Sequence, residues 1–184
     1  KKLNLIINNR GVGGYGSDQS FLKFRKNNEN NNIVVLNHLS ENIIRNVNQF
    51  RQLIYPSNYY SFKPRFILKS DSLKLVKIPS IKINEINDFK KTPNKYLKHE
   101  YFKIGKNTGI YYKKFPYSIT LLKSLLFNWK IKSLRKYYSG YQPFYKREHT
   151  SNGLKITELI LKKFNLVATK NGQIPIITII PTYR

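Results

Sequence analysis

Nine Asp and Glu residues face 34 Lys and Arg in a chain of 184 residues, a formal net charge of +25. A compact body of this size has to hold that charge against its own repulsion, which is far easier when a polyanion neutralises it. The imbalance is sharpest between residues 111 and 147, YYKKFPYSITLLKSLLFNWKIKSLRKYYSGYQPFYKR, which contains no acidic residue at all. Whatever this chain folds into must therefore keep most of its cations at the surface and find their counter-charges elsewhere.

The apolar residues suffice for a modest core, at 40% of the chain, but the set is biased: 22 Ile, 14 Tyr and 11 Phe stand beside one Ala, with no Met and no Cys. Abundant Lys, Asn, Ile, Tyr and Phe with scarce Ala is what strongly AT-rich coding DNA produces, so the expected setting is a mitochondrion or another organelle with an AT-rich genome. Without Cys there is neither a disulfide framework nor a thiolate metal site. No apolar run approaches the ~20 residues of a membrane span, so none is expected. The first residues, KKLNLIINN, lack the layout of a signal peptide or an Arg- and Ser-rich presequence.

Read along the chain, LNLIINN (3–9) resembles a short buried strand, followed by the Gly loop RGVGGYGSDQS (10–20) and a polar stretch at 24–32. Ser40 is placed to cap a helix whose apolar residues, Ile43, Val47, Phe50 and Ile54, recur on one face, with Arg45 and Arg51 off that stripe and Pro56 ending it. From Pro64 onward the pattern turns to strands. RFILKS and LKLVKIP alternate apolar and basic residues about Asp71-Ser72, and HEYFKIG and IYYKKF bracket a Gly-containing turn at 106–109. Residues 80–94 read as loop or short helix. Ser118 then caps a helix reaching about Lys136, with Ile119, Leu122, Leu125, Leu126 and Trp129 facing inward. A further helix covers about 153–164, and a closing hairpin joins NLVAT to QIPIITII through Asn171-Gly172, with Pro175 and Pro181 favouring an edge. The expected fold class is α+β: a small RNA-binding domain with antiparallel hairpins and two or three helices at 64–184, preceded by an irregular extension at 1–63 carrying the Gly loop and one amphipathic helix.

The motifs exclude more than they assign. Gly11-Val12-Gly13-Gly14-Tyr15-Gly16 matches GxGxxG, but a dinucleotide site needs a substantial helix next and an acidic residue about twenty positions on, where this chain has Asn37 and His38. A mobile Gly loop is the better reading, one whose N–H groups could still meet phosphate oxygens. There is no Walker lysine, no nucleophile elbow and no close carboxylate cluster, and His38, His99 and His149 are scattered. No catalytic residue, cofactor or metal site is expected. The candidate binding residues are Lys113, Lys114, Lys123, Lys130, Lys132, Arg135, Lys136, Tyr137, Tyr138, Tyr141, Lys146 and Arg147, where cations can neutralise phosphates and tyrosine rings can stack on unpaired bases.

The C-terminal third also carries an ordered set of short matches: Lys113-Lys114-Phe115-Pro116-Tyr117, Leu121-Leu122-Lys123, Trp129 with Lys130, Lys132 and Ser133, Asn152-Gly153, Ile156-Thr157-Glu158 and Lys163-Phe164. Over about 58 residues this order resembles the small-subunit ribosomal protein nineteen family, which runs KKGP[FY], Leu-Leu-Lys, a Trp among basic and Ser residues, Asn-Gly, ITE and GHKxGEF. The glycines and Glu of the last element have no counterpart here. The resemblance implies an organelle-encoded ribosomal protein that binds rRNA beside neighbouring ribosomal proteins, and it implies a strand at ITE where the local periodicity implies a helix. Two other classes remain: an extramembrane accessory subunit of an organelle-encoded respiratory complex, which would need a large apolar docking face, and a nucleic-acid enzyme, which would need carboxylates to converge in the fold.

Overall fold

A computed structural model describes residues 6–27, 31–54, 61–103, 115–119, 121–123, 125–126 and 140–181. These residues form a mixed α and β body with a small parallel sheet, an antiparallel hairpin and several helices. In chain order they are α1 (Ser17–Lys26), β1 (Ile33–Leu39), α2 (Asn42–Arg45), β2 (Arg65–Lys69), β3 (Ser72–Val76), α3 (Ile86–Lys91), α4 (Pro93–Tyr96), α5 (Gly153–Lys170) and β4 (Ile174–Ile180), with short 3-10 turns at 51–53, 83–85 and 142–145.

The longest element is α5, and it organises the rest. Its Ile156, Ile160, Phe164 and Ala168 recur every four residues and are almost completely buried, against Phe21 of α1, Leu36 of β1 and Phe66 and Leu73 of the β2–β3 hairpin. Residues 165–169, expected as a strand, continue this helix instead, because Ala168 extends the buried stripe by one more turn. The helix closes with Gly172 at φ 72°, where the Gly172 and Gln173 amides donate to the carbonyls of Thr169 and Ala168, both at 3.0 Å. The chain then runs into β4, which pairs in parallel with β1 (Ile33↔Ile174 through Leu39↔Ile180), so the expected closing hairpin is replaced by a helix–turn–strand unit. β4 is an edge strand, with Pro175 near its start and Pro181 beyond its end.

The expected hairpin at 65–76 is present, and its turn is Ser70-Asp71, both at positive φ as a tight two-residue connection requires. Its outer face exposes Lys69 and Lys74. Arg65, on the same strand face, is instead buried. The short helices found at 83–96 match the short-helix option for that stretch.

Three other expectations fail. Residues 6–9 are exposed and form no strand, while residues 3–5 lie outside the described set. The helix expected from Ser40 to Ile54 is only α2, followed by turns. Its apolar positions are nonetheless in the core: Ile43, Val47 and Phe50 pack with Leu53, Phe89, Leu97, Phe102 and Phe144. Helix gives way because Asn46 and Asn48 turn inward and bond elsewhere: Asn46 accepts from the Asp18 amide and donates to Thr157, and Asn48 exchanges hydrogen bonds with the Phe102 backbone. Finally, of HEYFKIG, residues 99–102 hold a turn and a bend but no strand, Lys103 is an isolated bridge residue, and 104–114 lie outside the described residues.

The helix expected to start after Ser118 is present at 117–119, 121–123 and 125–126, with Ser118 already inside it and not capping it. Its inward packing is overturned at Ile119, Leu122, Leu125 and Leu126, while Trp129 and the rest of the expected helix, 127–136, lie outside the described residues. Ile119, Leu121, Leu122, Leu125 and Leu126 are 50–63% exposed, because the two clusters that could receive them are already filled from other elements.

Candidate nucleic-acid interface

Of the twelve candidate binding residues, Lys113, Lys114, Lys130, Lys132, Arg135, Lys136, Tyr137 and Tyr138 lie outside the described residues. Lys123 is helical and exposed. Lys146 and Arg147 are exposed directly after the 3-10 turn at 142–145, whose Phe144 anchors the turn in the core. Tyr141 is half-buried against that same core, its ring edge-on to Tyr145 at 6.5 Å. The structure therefore places Tyr141, Lys146 and Arg147 together on a short, rigidly anchored segment.

Tyr145 is part-buried and packs against the core. Its hydroxyl donates to the Ser40 carbonyl at 2.8 Å and lies 3.0 Å from His38 Nε2, while His38 Nδ1 lies 2.7 Å from the Ser17 hydroxyl. This chain ties the basic turn to β1 and to the start of α1. Burial pushes the Tyr145 phenol up to about 12 and lowers His38, so both are neutral in the network.

The Gly loop is where the structure adds most. A ten-residue helix, α1, does follow it, contrary to expectation. Gly16 fits because a Cβ there would lie 2.6 Å from Asp18 Oδ1 and 2.9 Å from Asn46 Oδ1. Gly14, at φ 83°, lies under the Arg51 guanidinium, and a Cβ would meet Arg51 Nη1 at 2.4 Å. The loop is thus folded onto two arginines: Arg45 Nη1 donates to the Tyr15 carbonyl at 3.2 Å, and Arg51 stacks on Gly14. A cavity of about 180 Å³ opens between Gly13, Gly14, Arg45, Arg51, Phe62 and Lys63, and no carboxylate among the described residues lines it. In sequence, Arg45 and Arg51 show only as residues off an apolar stripe, and the sole hint that they meet the loop is its density of glycines.

Beneath the loop sits a buried ionic cluster. Asp18, with no exposure, is paired with Lys63, and Arg65 donates to the carbonyls of Val47 and His99. Glu100 Oε1 accepts the Gln49 amide at 2.7 Å, and its other oxygen is buried without a hydrogen-bond partner. Burial drives the Glu100 carboxyl up to about 7, more than the neighbouring Arg65 and Lys63 charges can offset.

Four of the nine acids are held in ion pairs, two of them buried or part-buried and two at the surface. Asp18 pairs with Lys63, Glu41 with Arg45 at 2.5 Å, Asp88 with Lys95 at 3.0 Å and Glu158 with Lys162 at 2.6 Å. Exposed Arg25, Lys26, Lys69, Lys74, Lys77, Lys146, Arg147, Lys155, Lys163 and Lys170 have no such pairing among the described residues. No group of three metal-ligating side chains occurs among the described residues, and no helix among them is long and apolar enough to cross a membrane. Ile156-Thr157-Glu158 lies inside α5, as the periodicity implies. Comparisons with protein-family models, with curated proteins and with solved structures find no match.

Proposed function

We propose that this chain is a structural, RNA-binding constituent of an organellar, mitochondrial-type ribosome, holding rRNA by neutralising its phosphates. One observation carries the reading: the chain has a net charge of +25, four of its nine acids are already paired with lysine or arginine, and ten exposed cations have no ion pair among the described residues. A polyanion is the partner such a surface needs. Lys123, Lys146 and Arg147, with the hairpin lysines Lys69 and Lys74, supply phosphate contacts, and Tyr141 supplies a ring at the edge of the packed body.

The test is gradient sedimentation of organelle lysate in moderate salt, following this chain with rRNA and respiratory-complex markers. Co-migration with ribosomal subunits, abolished by nuclease, is the expected result. Nuclease-resistant migration with a respiratory complex would overturn it. That second reading, an extramembrane accessory subunit, draws on one observation: the outer face of the β1–β4 ribbon (Ile33, Val35, Ile174, Ile176) and the 117–126 helical residues are apolar and exposed, as a protein-docking surface would be.

A further inference from the structure

We propose that the cavity between the Gly loop and Arg51 is a binding site for a single phosphate group. This deepens the RNA-binding reading by naming one place where a phosphate is held by geometry instead of by diffuse charge. The donors are specific. The N–H groups of Gly13 and Gly14 have no hydrogen-bond partner among the described residues, whereas the neighbouring Gly11, Tyr15 and Gly16 amides are satisfied by Asn9, Val12 and Gln19. The guanidinium of Arg51 has no hydrogen bond or ion pair among the described residues and comes so close to Gly14 that a Cβ there would meet Nη1 at 2.4 Å; Gly13, Gly14 and Arg51 all line the cavity. Arg45 adds a buried Nε without a partner at the cavity wall.

Charge favours an anion there and little else. Among the described residues, three cations and no carboxylate line the space. Lys63 and Arg45 are balanced by Asp18 and Glu41, which stand off the cavity, so Arg51 is the uncompensated charge. The α1 N-terminus is not the donor, because Gln19 and Asp18 already cap its first turn. Consecutive backbone N–H groups beside an arginine make a recurrent cradle for phosphate oxygens, with Arg supplying charge-assisted hydrogen bonds. A cavity of about 180 Å³ admits a phosphate group, and its partly open mouth allows that phosphate to be one of a polynucleotide backbone or of a free nucleotide. The glycines follow from the same geometry, since any side chain at Gly14 would displace the guanidinium.

The experiment is a ¹H–¹⁵N titration of the full chain with inorganic phosphate at constant ionic strength, with chloride as control. Saturable shifts of the Gly13 and Gly14 amides are expected, with Arg51→Gln weakening the apparent affinity about tenfold or more, as loss of a charge-assisted hydrogen bond implies. Arg51→Lys should restore part of it. Shifts equal to those in chloride, or unchanged in Arg51→Gln with the spectrum otherwise native, would overturn the site. Two further arms identify the source of the phosphate. Competition by a short oligouridylate far better than by uridine monophosphate marks a backbone phosphate, and equal competition marks a free nucleotide. Wild-type protein that binds phosphate here but shows no salt-dependent affinity for the oligonucleotide would sink the RNA-binding reading and leave the site standing; the opposite pattern would do the reverse.

Discussion

Helix α5 and the helical residues between 117 and 126 carry the same kind of pattern, apolar residues at helical spacing with lysines beside them, and meet opposite fates. In α5, Ile156, Ile160, Phe164 and Ala168 are buried to within a few per cent, whereas Ile119, Leu122, Leu125 and Leu126 remain at least half exposed. The difference lies in what surrounds each stripe. α5 is met from several sides, by Phe21 of α1, by Leu36 of β1 and by Phe66 and Leu73 of the β2–β3 hairpin. The described residues of the 117–126 stripe join neither buried cluster. Periodicity specifies that a helix has a face; only the rest of the fold, or a partner, decides whether that face is covered.

The largest test of this contrast removes a ring from the covered stripe. Phe164→Ala deletes a side chain that is 2% exposed and stacks edge-on with Phe24 at 5.0 Å. Loss of its transfer energy and the cavity left behind should cost about 3–5 kcal/mol, read as a lower urea midpoint with an unchanged slope. An effect near zero would mean that α5 is not the centre of the packed body.

The packed body should also be pH-sensitive through Glu100. Its carboxyl is raised by burial from 4.5 to about 7, so between those values the folded chain holds a proton that the unfolded chain has released. The stability contributed by this group is therefore complete below about pH 4.5 and lost as pH rises through 7, by an amount of order 3 kcal/mol. Glu100→Gln keeps the acceptor for the Gln49 amide and removes the titration. Thermal melts from pH 5 to 8 should lose this downward trend in the variant. An identical pH profile in both proteins would show that Arg65 and Lys63 hold Glu100 ionised.

How far these features were legible in the sequence follows the same line. The core residues Ile43, Val47 and Phe50 were readable from spacing, although the helix assigned to them was not formed, because three inward-facing polar side chains, Asn46, Asn48 and Gln49, replace helical bonds with tertiary ones. The β2–β3 hairpin was readable from alternation, and α5 from its period, but its last turn was mistaken for a strand since Val167 and Thr169 favour strands intrinsically. The parallel pairing of β1 with β4 joins segments about 140 residues apart, a relation no local pattern encodes. At the Gly loop the sequence offered glycines and the possibility of phosphate; the approach of Arg51 to Gly14 is purely tertiary.

A smaller effect is expected where α5 ends. Gly172 sits at φ 72° with open space where a Cβ would point, so Gly172→Ala tests conformation without a clash. Forcing an L-residue into the left-handed region should cost about 1–2 kcal/mol, detectable as a lower melting temperature. A cost near zero would show that the turn into β4 can re-form another way, and that the parallel pairing does not depend on this connection.

The smallest effect on the isolated chain should come from the uncovered stripe. Leu122 is 59% exposed, and Leu122→Ala should change its unfolding free energy by no more than about 0.5 kcal/mol, the ordinary range for a surface position. A loss as large as that of Phe164→Ala would mean that the stripe packs within the isolated chain after all, and the contrast between the two helices would collapse. A near-zero value in the isolated chain, combined with weaker retention of the variant in the sedimenting particle, would show instead that the stripe is covered by a partner. The two helices would then differ in who buries them and not in whether they are buried, and the exposed apolar face would count as part of the assembly surface alongside the unpaired cations.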